Sequence, residues 1–195
     1  MCEYEKKIMI SLAEYNLIRK MGFGFGAVET QTNYYYDTDD LRYNSNNITL
    51  RIREKNGEFV ATVKKHYAEP QNYSTEETAD CRDENDAGLF KDYDAKLKGK
   101  LVTERCVSEP ESGIKIMLDR NRYLGKCDHE IEFEYEAGHE SSIYFYIEAM
   151  ARCFVNGGLI TAVTDFCDRD ANQKSKSQRF FDRLKEHECQ SSRQA

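Results

Sequence analysis

The stretch from Ile48 to Lys65 constrains this chain more than any other. Two alternating runs, Ile-Thr-Leu-Arg-Ile-Arg-Glu-Lys and Glu-Phe-Val-Ala-Thr-Val-Lys-Lys, flank Asn56-Gly57. Asn-Gly between alternating runs specifies a two-residue type I′ turn, because both turn residues take positive φ. The turn fixes the register. Lys55 then faces Glu58, Arg53 faces Val60, Arg51 faces Thr62 and Thr49 faces Lys64. Opposed residues share a face. One face therefore holds Thr49, Arg51, Arg53, Thr62 and Lys64, and the other Leu50, Ile52, Ala61 and Val63. The apolar face must lie on a core. The cationic face goes either to water or to an anion with several phosphates, for which Arg offers forked donors and Lys a point charge.

Other segments repeat the design. Glu3, Glu5 and Lys7 alternate along the first strand, opposite Tyr4, Ile8 and Ile10, with Lys6 as the exception. In Asp128–Tyr135, Asp128, Glu130, Glu132 and Glu134 line one face, and Ile131, Phe133 and Tyr135 the other. Four acids in a row repel unless a metal, cationic neighbours or solvent relieve them. A further hairpin runs from Leu101–Val107 through Glu109–Gly113 to Ile114–Asp119, and Arg120 to Lys126 read as a loop. Thr75–Ala79 is a short strand carrying Glu76 and Glu77, and 29–37 is a strand rich in Thr and Tyr.

Helical signals lie between these strands. Ser11-Leu-Ala-Glu14 is a capping box leading into Leu12, Tyr15, Ile18 and Met21, with Gly22 as the closing residue. Ser141–Val155 carries Ile143, Ile147, Met150, Ala151 and Phe154 on one side, which suits either the core or a homodimer face. Residues 82–101 read as helix and loop, and 159–166 are compatible with a strand. Lys174 to Leu184 reads as a basic helix start, unfavourable for the helix dipole without a nearby anion. Residues 186–195 have little pattern and read as a frayed tail.

The whole points to an α+β, mainly antiparallel β chain of one domain. A net charge of −7 argues against binding duplex nucleic acid or an anionic membrane. Seven cysteines without Cys-x-x-Cys spacing suit reduced thiols and do not favour zinc. The absence of an apolar leader points to a cytoplasmic protein.

The sequence resembles the CYTH superfamily, the triphosphate tunnel metalloenzymes of adenylate cyclase class IV–thiamine triphosphatase type. The resemblance rests on Glu3-x-Glu5-x-Lys7, Asn33-Tyr-Tyr-Tyr-Asp37-Thr38, Leu50-Arg-Ile-Arg53, Thr62-Val-Lys64, Arg105, Leu118-Asp119, Glu130-Ile-Glu132 and Lys174-Ser-Lys176-Ser-Gln-Arg179-Phe. It is nearest to a bacterial branch with Tyr-Leu-x-Lys-x-Asp-x-Glu-Ile-Glu-Phe-Glu, as in Tyr123 to Glu134.

The resemblance implies a closed eight-stranded β-barrel, a triphosphate tunnel with helices packed outside, over residues 1–185. It implies Mg²⁺ or Mn²⁺ held by Glu3, Glu5, Asp119, Glu130 and Glu132, with Glu77 as a weaker candidate. It implies that Lys7, Arg51, Arg53, Lys64, Arg105 and Lys176 grip phosphate, and that Glu5, Lys7 and Lys64 are catalytic. The chain departs from many members at Thr103, where they carry a second base. The expected activity is metal-dependent hydrolysis of tripolyphosphate or an organic triphosphate. The alternatives are a class IV adenylate cyclase and a non-catalytic polyphosphate- or nucleotide-binding module.

Overall fold

The computed structural model describes residues 3–67, 73–86, 88–170 and 174–191. In chain order the strands are β1 (Glu3–Ile10), β2 (Glu29–Asp37), β3 (Ile48–Lys55), β4 (Glu58–Tyr67), β5 (Tyr73–Cys81), β6 (Lys96–Glu111), β7 (Ile114–Tyr123) and β8 (Lys126–Glu136). The helices are α1 (Leu12–Lys20), α2 (Arg42–Ser45), α3 (Glu140–Asn156), α4 (Thr164–Cys167) and α5 (Lys176–Ser191). The strands form one antiparallel sheet in the order β1-β8-β7-β6-β2-β3-β4-β5. This matches the expected eight-stranded α+β class. The hydrogen-bonded order ends at β1 and β5, with no ladder between those two among the described residues.

Contacts group the chain into two compact units that interleave in sequence. One comprises Met1–Glu29, Glu104–Asn121 and Cys127–Gln173; the other comprises Thr30–Thr103, Arg122–Lys126 and Lys174–Ala195.

In the first unit, β1 pairs with β8 so that Glu5 faces Glu134, Lys7 faces Glu132 and Ile8 faces Ile131. The charged and apolar residues of both strands therefore segregate to opposite faces, with Lys6, opposite Phe133, as the exception. The apolar face, with Ile8, Ile116, Leu118, Ile131 and Phe133, packs on Ile18 of α1 and on Ile143, Ile147, Met150 and Phe154 of α3. Each such side chain contributes about 1.5–3 kcal/mol on burial. The apolar stripe of α3, one candidate homodimer face, is thus consumed by the unit's own core.

Helix α1 begins with the expected capping box: Glu14 N–H bonds Ser11 Oγ, and Ser11 N–H bonds Glu14 Oε2. Gly22 does not close it. The C-cap is Met21 in an extended conformation, its N–H on Ile18 O, and positive φ is deferred to Gly24 at 72°. Residues 159–166 are not a strand. Asp165 Oδ2 accepts from Thr161 N, Thr161 Oγ1 and Ala162 N, curling this run into α4.

In the second unit, the β3–β4 register is the one the turn dictates, from Lys55↔Glu58 to Thr49↔Lys64. Asn56 and Gly57 take φ of 55° and 81°. Leu50, Ile52, Ala61 and Val63 pack with Tyr36 and Phe90. The Tyr36 hydroxyl donates to Glu84 O, tying down the segment that reads as helix and loop. That segment holds one 3-10 turn, Gly88–Phe90, and β6 already starts at Lys96. Helix α5 lays Phe180 and Phe181 against Tyr35, Leu101 and Tyr123. Ser175 and Gln178 exchange backbone and side-chain hydrogen bonds, a capping box at its start. The helix continues to Ser191, so residues 186–191 are helical rather than a frayed tail, and 192–195 lie outside the described residues.

The expected loop at 120–126 is instead a strand, a two-residue turn and a strand. Leu124 and Gly125 take φ of 45° and 73°. Leucine at positive φ is costly, so a Leu-Gly turn carries little sequence signal. Its consequence is to extend the polar face of β7 to Asn121.

Candidate active site

The polar face of the first unit carries an alternating chain of charge. Lys7 Nζ lies 2.8 Å from Glu5 Oε1 and 3.3 Å from Glu132 Oε1. The other oxygen of Glu132 accepts from Arg105 Nη2 at 2.5 Å. Arg105 also grips Asp119 with two donors, Nε to Oδ1 at 2.7 Å and Nη2 to Oδ2 at 2.6 Å. The sequence Glu5–Lys7–Glu132–Arg105–Asp119 is therefore a continuous run of opposite charges. Strand pleat explains it: these residues alternate along β1, β6, β7 and β8 and share a face.

Burial sharpens the electrostatics. Asp119 and Glu130 are 0% exposed and Glu132 is 5% exposed. Burial alone would ease the proton off Arg105, but the hydrogen bond and charge of Asp119, then Glu132, hold the guanidinium firmly protonated. Asn121 sits among the acids as a neutral donor. Its Nδ2 bonds Asp128 Oδ1 and Glu130 Oε1, each at 3.0 Å, which relieves the repulsion expected along β8.

One carboxylate oxygen each from Asp119, Glu130 and Glu132 lies within 4.8 Å of the others. Three buried oxygen donors at this spacing fit a hard divalent cation. Lys7 and Arg105, expected on phosphate, are engaged with these same acids. Glu5 borders the group through Lys7. The Glu3 backbone pairs with Glu136, while its side chain lies outside the described residues.

The second unit assembles the remaining cations. Arg51 and Arg53 alternate on β3, and Lys64 shares their face on β4. Lys176 opens α5, and Ser177 Oγ lies 3.1 Å from Thr49 Oγ1 of β3, which sets the helix start against the strand. Tyr35, pairing with Arg51, has its phenol pushed up by burial, opposed in turn by Arg51, Lys176, Arg53 and Arg179. Those four cations therefore all bear electrostatically on one buried phenol. Arg179 was not among the expected phosphate-binding residues.

Glu77 is corrected by register. It lies opposite Val63, on the face of the apolar core, whereas Glu76 lies opposite Lys64. Glu76 Oε1 and Lys64 Nζ are 2.7 Å apart. Burial would raise the Glu76 carboxyl, but the Lys64 hydrogen bond and charge, then Arg51 and Arg53, bring it below its ordinary value. Sequence alone leaves this strand's register open because no short turn fixes it. The missing signal for Asn121 was the Leu124-Gly125 turn. For Asn33, opposite Arg53, the signal was the alternation Asn33–Tyr35 along β2.

The CYTH domain family model matches residues 1–147. A protein of Bacillus subtilis (strain 168), named "Putative triphosphatase YjbK", is 35% identical over 156 residues, covering 71% of this chain and 80% of that protein. A solved structure of a "putative adenylate cyclase" from Bacillus halodurans is 26% identical, with a TM-score of 0.64, and covers 93% of this chain and 100% of that one. HpAC1 from Hippeastrum, at 17% identity, shares the fold with a TM-score of 0.63 over 93% of this chain and 96% of its own. With the family model matching residues 1–147 and a relative 35% identical across 71% of the chain, this chain belongs to the CYTH domain family.

Proposed function

We propose that this protein hydrolyses the terminal phosphoanhydride of a small triphosphate-containing substrate, using Mg²⁺ or Mn²⁺. The observation that carries this reading is the buried Asp119–Glu130–Glu132 group interlaced with Lys7 and Arg105 on one sheet face. A pure anion binder gains nothing from burying three carboxylates beside its cations. Asp119, Glu130 and Glu132, with Glu5 at the border, would hold the divalent ion, which when bound neutralises phosphate charge and lowers the pKa of water.

The chain's own residues supply the rest. Lys7 and Arg105 already share Glu132, so each can exchange a carboxylate oxygen for a phosphoryl oxygen with little movement. Both then stabilise charge gathering on the transferred group. Glu5 is the most exposed carboxylate of the chain of charge, at 48% of its side chain, which suits it to orient water. Lys64, Arg51, Arg53 and Lys176 would bind phosphate on the family pattern, and Lys7 or Lys64 would polarise the bond that breaks. The name of the Bacillus subtilis relative supports the hydrolase reading, and that of the Bacillus halodurans structure supports a cyclase as the second.

The test is product analysis on tripolyphosphate, ATP and thiamine triphosphate with Mg²⁺ or Mn²⁺. Hydrolysis predicts inorganic phosphate, lost in Glu132→Gln and in Glu5→Gln. Cyclic nucleotide as the main product from ATP would replace the proposal with cyclisation. Binding without turnover of any of the three would leave a non-catalytic module.

A further inference from the structure

The cationic face of β2 and β3 contains buried donors with no acceptor. Asn33, opposite Arg53, is 0% exposed. Its Oδ1 accepts from Arg53 Nε at 3.0 Å, which fixes the orientation of the amide and leaves Nδ2 as the other end. That Nδ2 has no hydrogen-bond partner among the described residues, and neither does the buried Nε of Arg51 on the neighbouring strand. Unpaired buried donors are rare in folded proteins, because each forfeits its hydration for nothing.

Both orphans are donors, and both lie on the face that carries Lys64. Glu76, the acid opposite Lys64, is already held by it at 2.7 Å. The missing partner is therefore an acceptor, and the surrounding charge makes it an anionic one. We propose that Asn33 is a phosphate-binding residue: Nδ2 donates to a phosphoryl oxygen of the substrate while Oδ1 holds Arg53 toward the same group. This rests on the triphosphate reading above and adds to it a neutral donor that charge patterning does not reveal. A neutral amide in a cationic face has a clear use. It contributes a directed hydrogen bond without adding to the repulsion among Arg51, Arg53 and Lys64.

Asn33→Asp separates this role from a merely structural one. The aspartate still accepts from Arg53, with more charge, but cannot donate. A structural role predicts unchanged melting and unchanged affinity for tripolyphosphate. Phosphate donation predicts unchanged melting with affinity weakened about tenfold or more, the loss expected for a hydrogen bond to a charged group. The two are read by thermal melting and by calorimetric titration with tripolyphosphate in EDTA.

A second measurement removes the effect of the added charge. In ¹⁵N-labelled wild-type protein, the Asn33 side-chain NH₂ protons should move downfield on titration with tripolyphosphate. An NH₂ signal that stays still while neighbouring signals shift would overturn the proposal, as would Asn33→Asp binding as wild type does. Should that variant fail to fold, the wild-type NH₂ shift decides alone. Wild-type protein that binds no tripolyphosphate at all would overturn the triphosphate reading and this proposal together, a pattern distinct from binding with a silent Asn33.

Discussion

Replacing Arg105 with glutamine should turn the carboxylate group from a self-neutralised cluster into one that depends on a divalent ion. Arg105 spans Asp119 and Glu132 through three hydrogen bonds, and its side chain is only 16% exposed. Without it, the fully buried Asp119 loses two hydrogen bonds from a guanidinium, and Glu132 loses one while retaining Lys7 at 3.3 Å. Removing one partner of a buried ion pair costs about 3–5 kcal/mol. For a chain of this size each kcal/mol shifts the midpoint by about 2–4 °C, so the melting temperature in EDTA should fall by about 6–20 °C. Saturating Mn²⁺ should recover much of this, since ligand at a hundred times its Kd stabilises by about 2.7 kcal/mol. It should raise the variant more than the wild type, because no guanidinium competes for the carboxylates. The assay is thermal unfolding of both proteins in EDTA and across a Mn²⁺ titration, with phosphate release followed in parallel. Equal melting in EDTA, or equal Mn²⁺ shifts for both proteins, would refute the idea that Arg105 and the metal share these ligands.

Other outcomes follow from single groups. The Tyr36 phenol is pushed up to about 12, by burial first and by the nearby Glu84 carboxylate second. The folded chain then holds its proton while the unfolded chain releases it near the ordinary value of about 10, so stability is lost as pH rises from about 10 to 12. Tyr36→Phe should flatten that part of an alkaline denaturation profile, and an unchanged slope would count against it. Glu76 carries the opposite sign. Its lowered carboxyl stabilises the fold above the ordinary glutamate range, and that support is lost as pH falls through its folded value. Glu76→Gln should make chemical denaturation midpoints less sensitive to acid. At Gly99, φ is 144° and a Cβ would sit 3.0 Å from the Phe180 ring. Gly99→Ala should destabilise by about 1–3 kcal/mol in urea titration, with a loss below 0.5 kcal/mol contradicting the crowding.

Where a short turn with distinctive chemistry joins two strands, register could be read directly. Asn56-Gly57 placed Arg51, Arg53 and Lys64 on one face from sequence, and the ladder agrees pair by pair. Alternation in β1 and β8 likewise separated Glu5, Lys7, Glu130 and Glu132 from the apolar core. The failures share a cause. Leu124-Gly125 does by tertiary packing what Asn-Gly does by propensity, so Asn121 was hidden in a supposed loop. The β4–β5 connection offers no such turn, so a one-residue uncertainty exchanged Glu77 for Glu76, and in a strand one residue is the other face. The ion pairing of Arg105 was not legible at all. Composition marks it as a cation near acids, but only the three-dimensional closeness of β6, β7 and β8 decides that it meets carboxylates.

The β1–β8 ladder has a consequence for how the protein is made. Residues 3–10 pair with 129–136, so β1 leaves the ribosome well before the strand that completes it. At about 5–20 residues per second, β1 waits on the order of ten seconds with its edge unsatisfied. Meanwhile β3–β4 and β6–β7–β8 can form as local hairpins. Lys7 and Glu5 are thus added to an acidic wall that already stands. Contact order makes this late, non-local docking a natural candidate for the slow step of folding. The alternating charge of β1 then serves a second purpose: it keeps a waiting strand from pairing with its neighbours on other chains.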